Sequence, residues 1–574
     1  MAVSRKTPLR IVVLLMLIVG VWVSGLLCYR VAATDSYWLD ELHTVWTIEQ
    51  PDEASFATAA ASGNQSTFYF RIVRVLAGED VDSPVRLRWF SVLCSVLTVA
   101  SLGFFVWDWS RSVYGSALAV WSAGIDPRFI FYGSEARPYA LLMLFAVWQF
   151  FVFCRLTIWK SDDVEQEIAT GVKAKDGFWA LILLLLSVGL VLTHQTGVLL
   201  LAAEMIVLLA LRQHTRTNMW LVGVTIVASG LIVLAMQAST YSEVFERRSQ
   251  WSTLSSVGGL ASEFRNSVVF LLIVPLAILY WLAGKGRFRL EQYRLVCLGV
   301  VAAGGLLPPI LAGVADYFGW APLGLFRYTL TGAILIPLFA GLAIGCVRQE
   351  WLQLVLAAAI VFAAIFLPLP EPSADGNSNV LVSANRFFIG AINRLDDENA
   401  ASEFRMRYEN WPGAVAEIER LDDDRPIFLF ANLLEDAQLA ELEKSIKANE
   451  IDASLIDYLR FPLTAFSIHD ERVVPRPTLS GIAFQPEHID RLMAAGGCWV
   501  LARSDSVTFE RIAGELYEKL GRVEDADIGI RAKLFRLASD TDKVPEWLTL
   551  LRIDWVPQRW GATPAKRRRL PASR

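Results

Sequence analysis

Charge is scarce in this sequence: only 19% of its 574 residues are Asp, Glu, Lys or Arg, against roughly a quarter in an ordinary globular protein. The net charge of -5 leaves no electrostatic footprint for nucleic acid beyond the basic tail AKRRRLPASR, so no nucleic-acid partner is expected. Cysteines are few. Cys28, Cys94, Cys154, Cys297 and Cys346 lie in or beside apolar runs, and Cys498 stands alone in the polar C-terminal part. A single cysteine there excludes an internal disulfide framework. That part also lacks a glycine-rich nucleotide fingerprint, a metal-ligand cluster and a nucleophile elbow. What is abundant is apolar: 54% hydrophobic residues, with 20 Trp and 32 Phe. A soluble protein does not carry that composition, and a polytopic membrane protein does.

The first apolar run, Ile11 to Leu27, follows Arg5, Lys6 and Arg10. Its length suits a spanning helix or a signal peptide cleaved near VAAT, and the many later runs favour the helix. Further runs lie near 88–108, 113–131, 139–154, 178–193, 196–211, 219–238, 267–283, 295–313, 329–347 and 351–369, about eleven spans in all at roughly 20 residues each. Arg111, Arg155, Lys160, Lys173, Lys175, Arg212, Arg216, Lys285, Arg287, Arg289, Arg294 and Arg348 fall in alternate connections. The positive-inside bias then places these connections and the N-terminus in the cytoplasm, and an odd number of spans places the C-terminus outside.

The first outer loop, 31–87, opens with DSYWLDELHT, residues 35–44. An ionised carboxylate in hydrocarbon costs several kcal/mol or more, so Asp40 and Glu41 must face water or a cavity. Only one of two adjacent side chains on a helix can point at a given acceptor, since successive residues diverge by about 100 degrees. Farther along the loop, the spacing predicts an amphipathic helix over Phe68 to Leu76. The third span is expected to break at Pro127, Gly133 and Pro138, and such irregular backbone is tolerated at membrane depth only inside protein or beside a wet cavity. Arg137 and Glu135 border that break, THQTG puts His194 at the next outer turn, and the last outer turn brings Asp316, Arg327 and Tyr328. Asp35, Asp126, Glu135 and Asp316 are weaker candidates. No ligand spacing argues for a divalent metal, and no cofactor is expected.

Composition shifts at PLPEPSADGNSN. We read 1–369 as the membrane domain, 370–385 as a linker and 386–574 as an extracytoplasmic α/β domain, with strands predicted in PIFLFANL and from CWVLARS and a helix in LEDAQLAELEKSI.

Four stretches, WLDELHT, FYGSEARPYALLMLF, THQTG and FRYTLTGAILIP, together resemble the membrane glycosyltransferases of the GT-C superfamily, and within it the group of protein O-mannosyltransferases and the lipid A aminoarabinose transferase. The resemblance spans about residues 10–350; the C-terminal part lacks the sugar-binding-like insertion of the eukaryotic mannosyltransferases. It implies an enzyme of the bacterial inner membrane that takes a sugar from a polyprenyl-phosphate donor, reaching the site through the lipid bilayer, and passes it with inversion to an extracytoplasmic hydroxyl of a glycan, lipid or protein. Phosphate is already a good leaving group, so such a reaction needs one base and cations for the departing charge, not a pair of glycosidase carboxylates. Asp40 matches the family's catalytic acid position, with Glu41 beside it to orient the loop or bind sugar hydroxyls. Arg137 is the expected phosphate clamp, and Tyr139, His194, Arg327 and Tyr328 complete the donor or substrate contacts. The plainer alternatives stay open: solvated acids at a helix start, an interfacial snorkelling Arg and interfacial aromatics. A transporter or lipid-handling permease is the rival class, and it would call for internal repeats with paired broken helices.

Overall fold

The computed structural model describes residues 7–34, 37–62, 66–78, 83–158, 173–211, 222–233, 292–317, 326–366 except 348, 409–431 except 422–423, 453–475 except 467 and 469, 495–503, 528–535 and 548–557. They form two compact units: 1–35 with 47–405, and 36–46 with 406–574.

The first unit is helical. It begins with α1 (Thr7–Thr34); helix α2 (Leu39–Glu49), which follows in the chain, belongs to the second unit up to Trp46, and the first unit resumes with α3 (Glu53–Ser62), α4 (Thr67–Ala77), α5 (Pro84–Ser110), α6 (Val113–Gly124), α7 (Pro127–Ser134) and α8 (Tyr139–Thr157). Next come α9 (Lys173–Thr193), α10 (Gly197–Leu211), α11 (Val222–Val233) and α12 (Gln292–Tyr317). A 3-10 turn (Phe326–Tyr328) leads into α13 (Leu330–Ala333), α14 (Leu335–Gly345) and α15 (Glu350–Phe366). Among the described residues four helices are long and apolar enough to cross a membrane, Ile11–Ala33, Pro84–Ser110, Tyr139–Thr157 and Val296–Ala315, and five apolar helices are shorter. On α1, Ile11, Leu14, Leu15, Ile18 and Trp22 are exposed; so much apolar surface along one helix requires hydrocarbon around it. The chain is an integral membrane protein. The expected run 267–283, the linker, the basic tail and the helix over LEDAQLAELEKSI lie outside the described residues.

The breaks fall at Pro127 and Pro138, where proline and capping chemistry put them, whereas Gly133 lies inside α7. Helix α6 stops at Gly124, and Asp126 caps α7 by accepting from the Arg128 backbone N–H at 2.9 Å, with Pro127 at the first helical position, where its missing N–H costs nothing. Pro138 is the N-cap of α8. In the first loop, Ser66 caps α4, Gly78 closes it at φ 62, and Tyr69, Phe70, Val73 and Ala77 form its buried face. This is the amphipathic piece expected from its spacing.

Helices α1, α5 and α6 pack on one another, α14 packs on α5 and α6, and α8 on α5 and α9. Leu27, Cys28, Val31 and Ala32 of α1, Val92 of α5 and Ile130 of α7 form one shared cluster. Where lipid removes the hydrophobic drive between helices, small residues and buried polar ties take over. The Gln149 side-chain amide donates to Glu204 at 2.7 Å and to the Ser187 hydroxyl at 3.3 Å, all three groups buried, which ties α8, α10 and α9. Gly115 and Gly341 let α6 and α14 touch backbone to backbone. A Cβ on Gly341 would sit 2.6 Å from the Gly115 carbonyl oxygen and 2.9 Å from Val106 Cγ2, so the helices would have to part. Gly341→Val is expected to destabilise the protein by about 1–3 kcal/mol, seen as a lower midpoint of thermal unfolding in detergent. An unchanged midpoint would show that these helices do not meet at the glycine pair.

The second unit contains α16 (Trp411–Arg420), β1 (Ile427–Phe430), α17 (Ala453–Thr464), β2 (Val473–Pro475), β3 (Gly497–Arg503), β4 (Ile528–Phe535) and β5 (Leu548–Pro557). The strands make one mixed sheet in the order β2-β1-β3-β5-β4. Parallel pairs join β1 to β2 and β3, and antiparallel pairs join β5 to β3 and β4. All four β1 residues, Ile-Phe-Leu-Phe, are buried, as a central parallel strand covered on both faces requires. Gly497 enters β3 at φ 143, and a Cβ there would run into the Ile553 carbonyl. Trp499 is buried in β3 with the Arg552 guanidinium 5.7 Å from its ring centroid. Burial acts to raise the Asp554 pKa, but hydrogen bonds and charge from Arg425 and Arg552 outweigh it and hold the carboxyl below its usual range. The stabilisation from this cluster is therefore present above the ordinary carboxylate pKa and is lost as pH falls through the lowered one.

Candidate functional site

Asp40 and Glu41 stand in the first turn of α2. The Trp38 carbonyl accepts from the Glu41 N–H at 2.9 Å and the Leu42 N–H at 3.0 Å, so Trp38 is the N-cap. Its side chain has no oxygen to accept a helix N–H. Two carboxylates supply what it lacks. Glu41, fully buried, accepts from the Trp38 N–H at 3.3 Å, the reach-back half of a capping box. Glu409 accepts from the Leu39 N–H at 2.9 Å. Asp40 is half-buried. Glu41 is thus engaged in holding its own helix start, a local signal that the spacing Trp38 to Glu41 carries in the sequence. Glu409 is a finding of the structure alone. His43, one turn along, has its ring centroid 6.0 Å from that of Trp46.

The membrane unit gathers a different set of side chains. Tyr139 begins α8 directly after the Pro138 cap, His194 follows α9, and Tyr328 lies in the 3-10 turn before α13. Their rings meet: Tyr139 to His194 at 5.7 Å and His194 to Tyr328 at 6.0 Å between centroids. Tyr132, which sequence reading did not single out, joins Tyr139 edge-on at 5.1 Å. All four are buried. The Thr196 backbone N–H donates to His194 Nδ1 at 3.3 Å, and the Thr196 hydroxyl lies 2.8 Å from the same nitrogen. With Nδ1 accepting, Nε2 bears the proton of the neutral ring.

Cations flank this aromatic cluster along the chain. Arg137 lies two residues before Tyr139 in the bend between α7 and α8, where its N–H donates to the Glu135 carbonyl at 2.8 Å. The Arg137 and Glu135 side chains are both buried. The Arg327 guanidinium lies 5.1 Å from the Tyr328 ring centroid, within cation–π range. Arg137 is buried and Arg327 half-buried, and a charge in such a dry setting acts more strongly on its surroundings than it would in water.

Of the weaker candidates, Asp126 is engaged as the α7 cap and in an ion pair with Arg128 at 2.7 Å. Asp316 lies in the last turn of α12, and Asp35 falls outside the described residues. Among the described residues no group of three or more His, Cys, Asp or Glu is arranged to hold a metal ion.

No family model matches the chain, and no curated protein matches it in sequence. Solved structures do. ArnT from Cupriavidus metallidurans, crystallised bound to undecaprenyl phosphate, aligns over 94% of this chain and 97% of its own with a TM-score of 0.50 at 14% identity. The archaeal oligosaccharyltransferase AglB from Archaeoglobus fulgidus, in complex with an inhibitory peptide and a dolichol-phosphate, aligns over 96% of this chain and 75% of its own, at a TM-score of 0.43 and 9% identity. That second likeness is too slight to carry an argument. Identity this low speaks to architecture and not to chemistry: the chain shares the fold of ArnT.

Proposed function

We propose that this protein is a membrane glycosyltransferase that moves a sugar from a polyprenyl-phosphate donor to a hydroxyl of an extracytoplasmic glycan, lipid or protein. The observation that carries the reading is the buried cluster of Tyr139, His194 and Tyr328, drawn from three distant segments and flanked in the chain by Arg137 and Arg327. Undecaprenyl phosphate in the ArnT structure, whose fold this chain shares, is the kind of ligand such a cluster suits.

In the reaction, the Asp40 carboxylate takes the proton from the acceptor hydroxyl as its oxygen attacks the anomeric carbon. The bond from that carbon to the phosphate oxygen breaks, and the polyprenyl phosphate leaves with the electron pair. A single displacement inverts the anomeric centre. Arg137 and Arg327 hold the departing charge, where a guanidinium fork fits phosphate oxygens. The His194 Nε2–H donates to the phosphate or the acceptor, and Tyr139 and Tyr328 wall the sugar or phosphate. Glu41 orients the helix that carries Asp40, a role its hydrogen bond to Trp38 supports.

The same reading places the enzyme in the bacterial inner membrane with about eleven spans, each near the ~20 residues a bilayer requires. The N-terminus is cytoplasmic, and Asp40 and the C-terminal α/β domain are extracytoplasmic. The test is to incubate purified protein with a panel of polyprenyl-phosphate sugars and membrane extract. A glycosylated product with release of polyprenyl phosphate is expected for at least one donor. No transfer from any of them overturns the assignment and returns weight to a transporter.

A further inference from the structure

We propose that Glu409 is a positioning residue for the transfer reaction, the acceptor through which the C-terminal unit holds the start of the helix that carries Asp40. This rests on the reading of Asp40 as the base. Glu409 lies 370 residues from Leu39 in the chain, and its carboxylate is 2% exposed. Each of its oxygens is used. Oε2 accepts from the Leu39 N–H at 2.9 Å and from the Trp411 indole N–H at 2.9 Å. Oε1 accepts from the Arg503 guanidinium.

Three physical features make this an anchor and not a passing contact. A buried carboxylate is tolerated only when paired and hydrogen-bonded, and here Arg503 supplies the charge while two N–H groups complete the shell. Leu39 is the first residue of α2, whose N–H has no partner inside the helix, and a negative charge beside that end is favoured by the helix dipole. Trp38 at the N-cap has no side-chain acceptor, so the acceptor for Leu39 comes from elsewhere in the fold. The other two partners are themselves fixed. Arg503 ends β3, a strand paired on both sides, and Trp411 is the fully buried first residue of α16. The rigid sheet is thereby connected, through one carboxylate, to the residue next to Asp40. Since misplacing a reacting group by about 1 Å can cost roughly a hundredfold in rate, this connection gives the C-terminal unit a part in catalysis without any contact to substrate.

The test compares Glu409→Ala and Leu39→Pro in the full-length protein, assayed with the polyprenyl-phosphate sugar that gives product in the panel. Proline is accepted at the first helical position, so Leu39→Pro removes the donor while the Glu409–Arg503 pair stays whole. Both variants are expected to lower kcat by roughly ten- to a hundredfold, with the donor KM changed less than about threefold because the phosphate contacts are untouched. Amide exchange over residues 37–46 is expected to quicken by about tenfold or more as the helix start loosens. Glu409→Gln keeps an amide oxygen for Leu39 and is expected to retain more turnover than Glu409→Ala. If Glu409→Ala loosens the sheet itself, seen as faster exchange across 427–430 and 497–503, Leu39→Pro decides. Wild-type kcat, or wild-type exchange over 37–46, in a folded variant lacking the contact overturns the proposal. Asp40→Asn run alongside separates the two ideas: an active Asp40→Asn protein removes the base assignment, whereas an inactive one beside fully active Leu39→Pro and Glu409→Ala proteins removes only the anchor.

Discussion

Asp40→Asn is expected to lower the rate of sugar transfer by roughly 10²–10⁴-fold, the contribution of a positioned general base. Asparagine has nearly the same shape and is well accepted at helix starts, so the α2 first turn should form as before and only the proton acceptor is lost. The loss should appear in kcat and kcat/KM alike, since the proton moves only on the way to the transition state. Glu41→Gln is the informative companion. Glu41 is buried and accepts from the Trp38 N–H, and a Gln carbonyl oxygen can still accept there, so its effect should be much smaller. Full transfer activity in a folded Asp40→Asn protein would sink the role of this residue. A greater loss in Glu41→Gln would move the base one position along.

Arg137→Ala carries the second large effect, expressed through the donor. A guanidinium holding phosphate in a dry site offers charge-assisted, forked hydrogen bonds, and its removal is expected to cost about a hundredfold or more in kcat/KM for the polyprenyl-phosphate sugar. Arg137→Lys should recover little of this, because a point-charge ammonium does not reproduce the fork. The measurement is a donor saturation series at fixed acceptor, with thermal unfolding in detergent to confirm that the buried site still packs. An unchanged donor response in a folded Arg137→Ala protein would end the clamp assignment and leave Arg137 as a structural partner in the bend after Glu135.

Several features of the fold were legible because they rest on local rules. Pro127 and Pro138 marked helix boundaries, since a proline supplies no N–H and clashes with the preceding turn, and the structure starts α7 at one and caps α8 with the other. The amphipathic stretch Phe68 to Leu76 foretold α4, whose buried face is Tyr69, Phe70, Val73 and Ala77. The apolar runs PIFLF and CWVLAR became β1 and β3. Strands β4 and β5 escaped notice because their register interleaves charge with apolar side chains, as in Ile530, Arg531, Ala532, Lys533 and Leu534. Charges on β4 suit a strand at the sheet edge, but edge placement is a property of the assembled sheet.

For the site, the sequence by itself determined the residue types and their order: an acidic pair after the first helix, then Arg137 and Tyr139, then His194, then Arg327 and Tyr328. These are chemical identities, and a family resemblance carried by short motifs suffices to point at them. Only the tertiary structure decided which of them meet. It brought the rings of Tyr139, His194 and Tyr328 together from separate helix ends, gave Glu41 a capping duty, and joined Leu39 to Glu409 across 370 residues. The reason is that a hydrogen bond or ring contact depends on distance in space, and no local periodicity encodes a pairing between segments whose nearness is set by the packing of everything that lies between them.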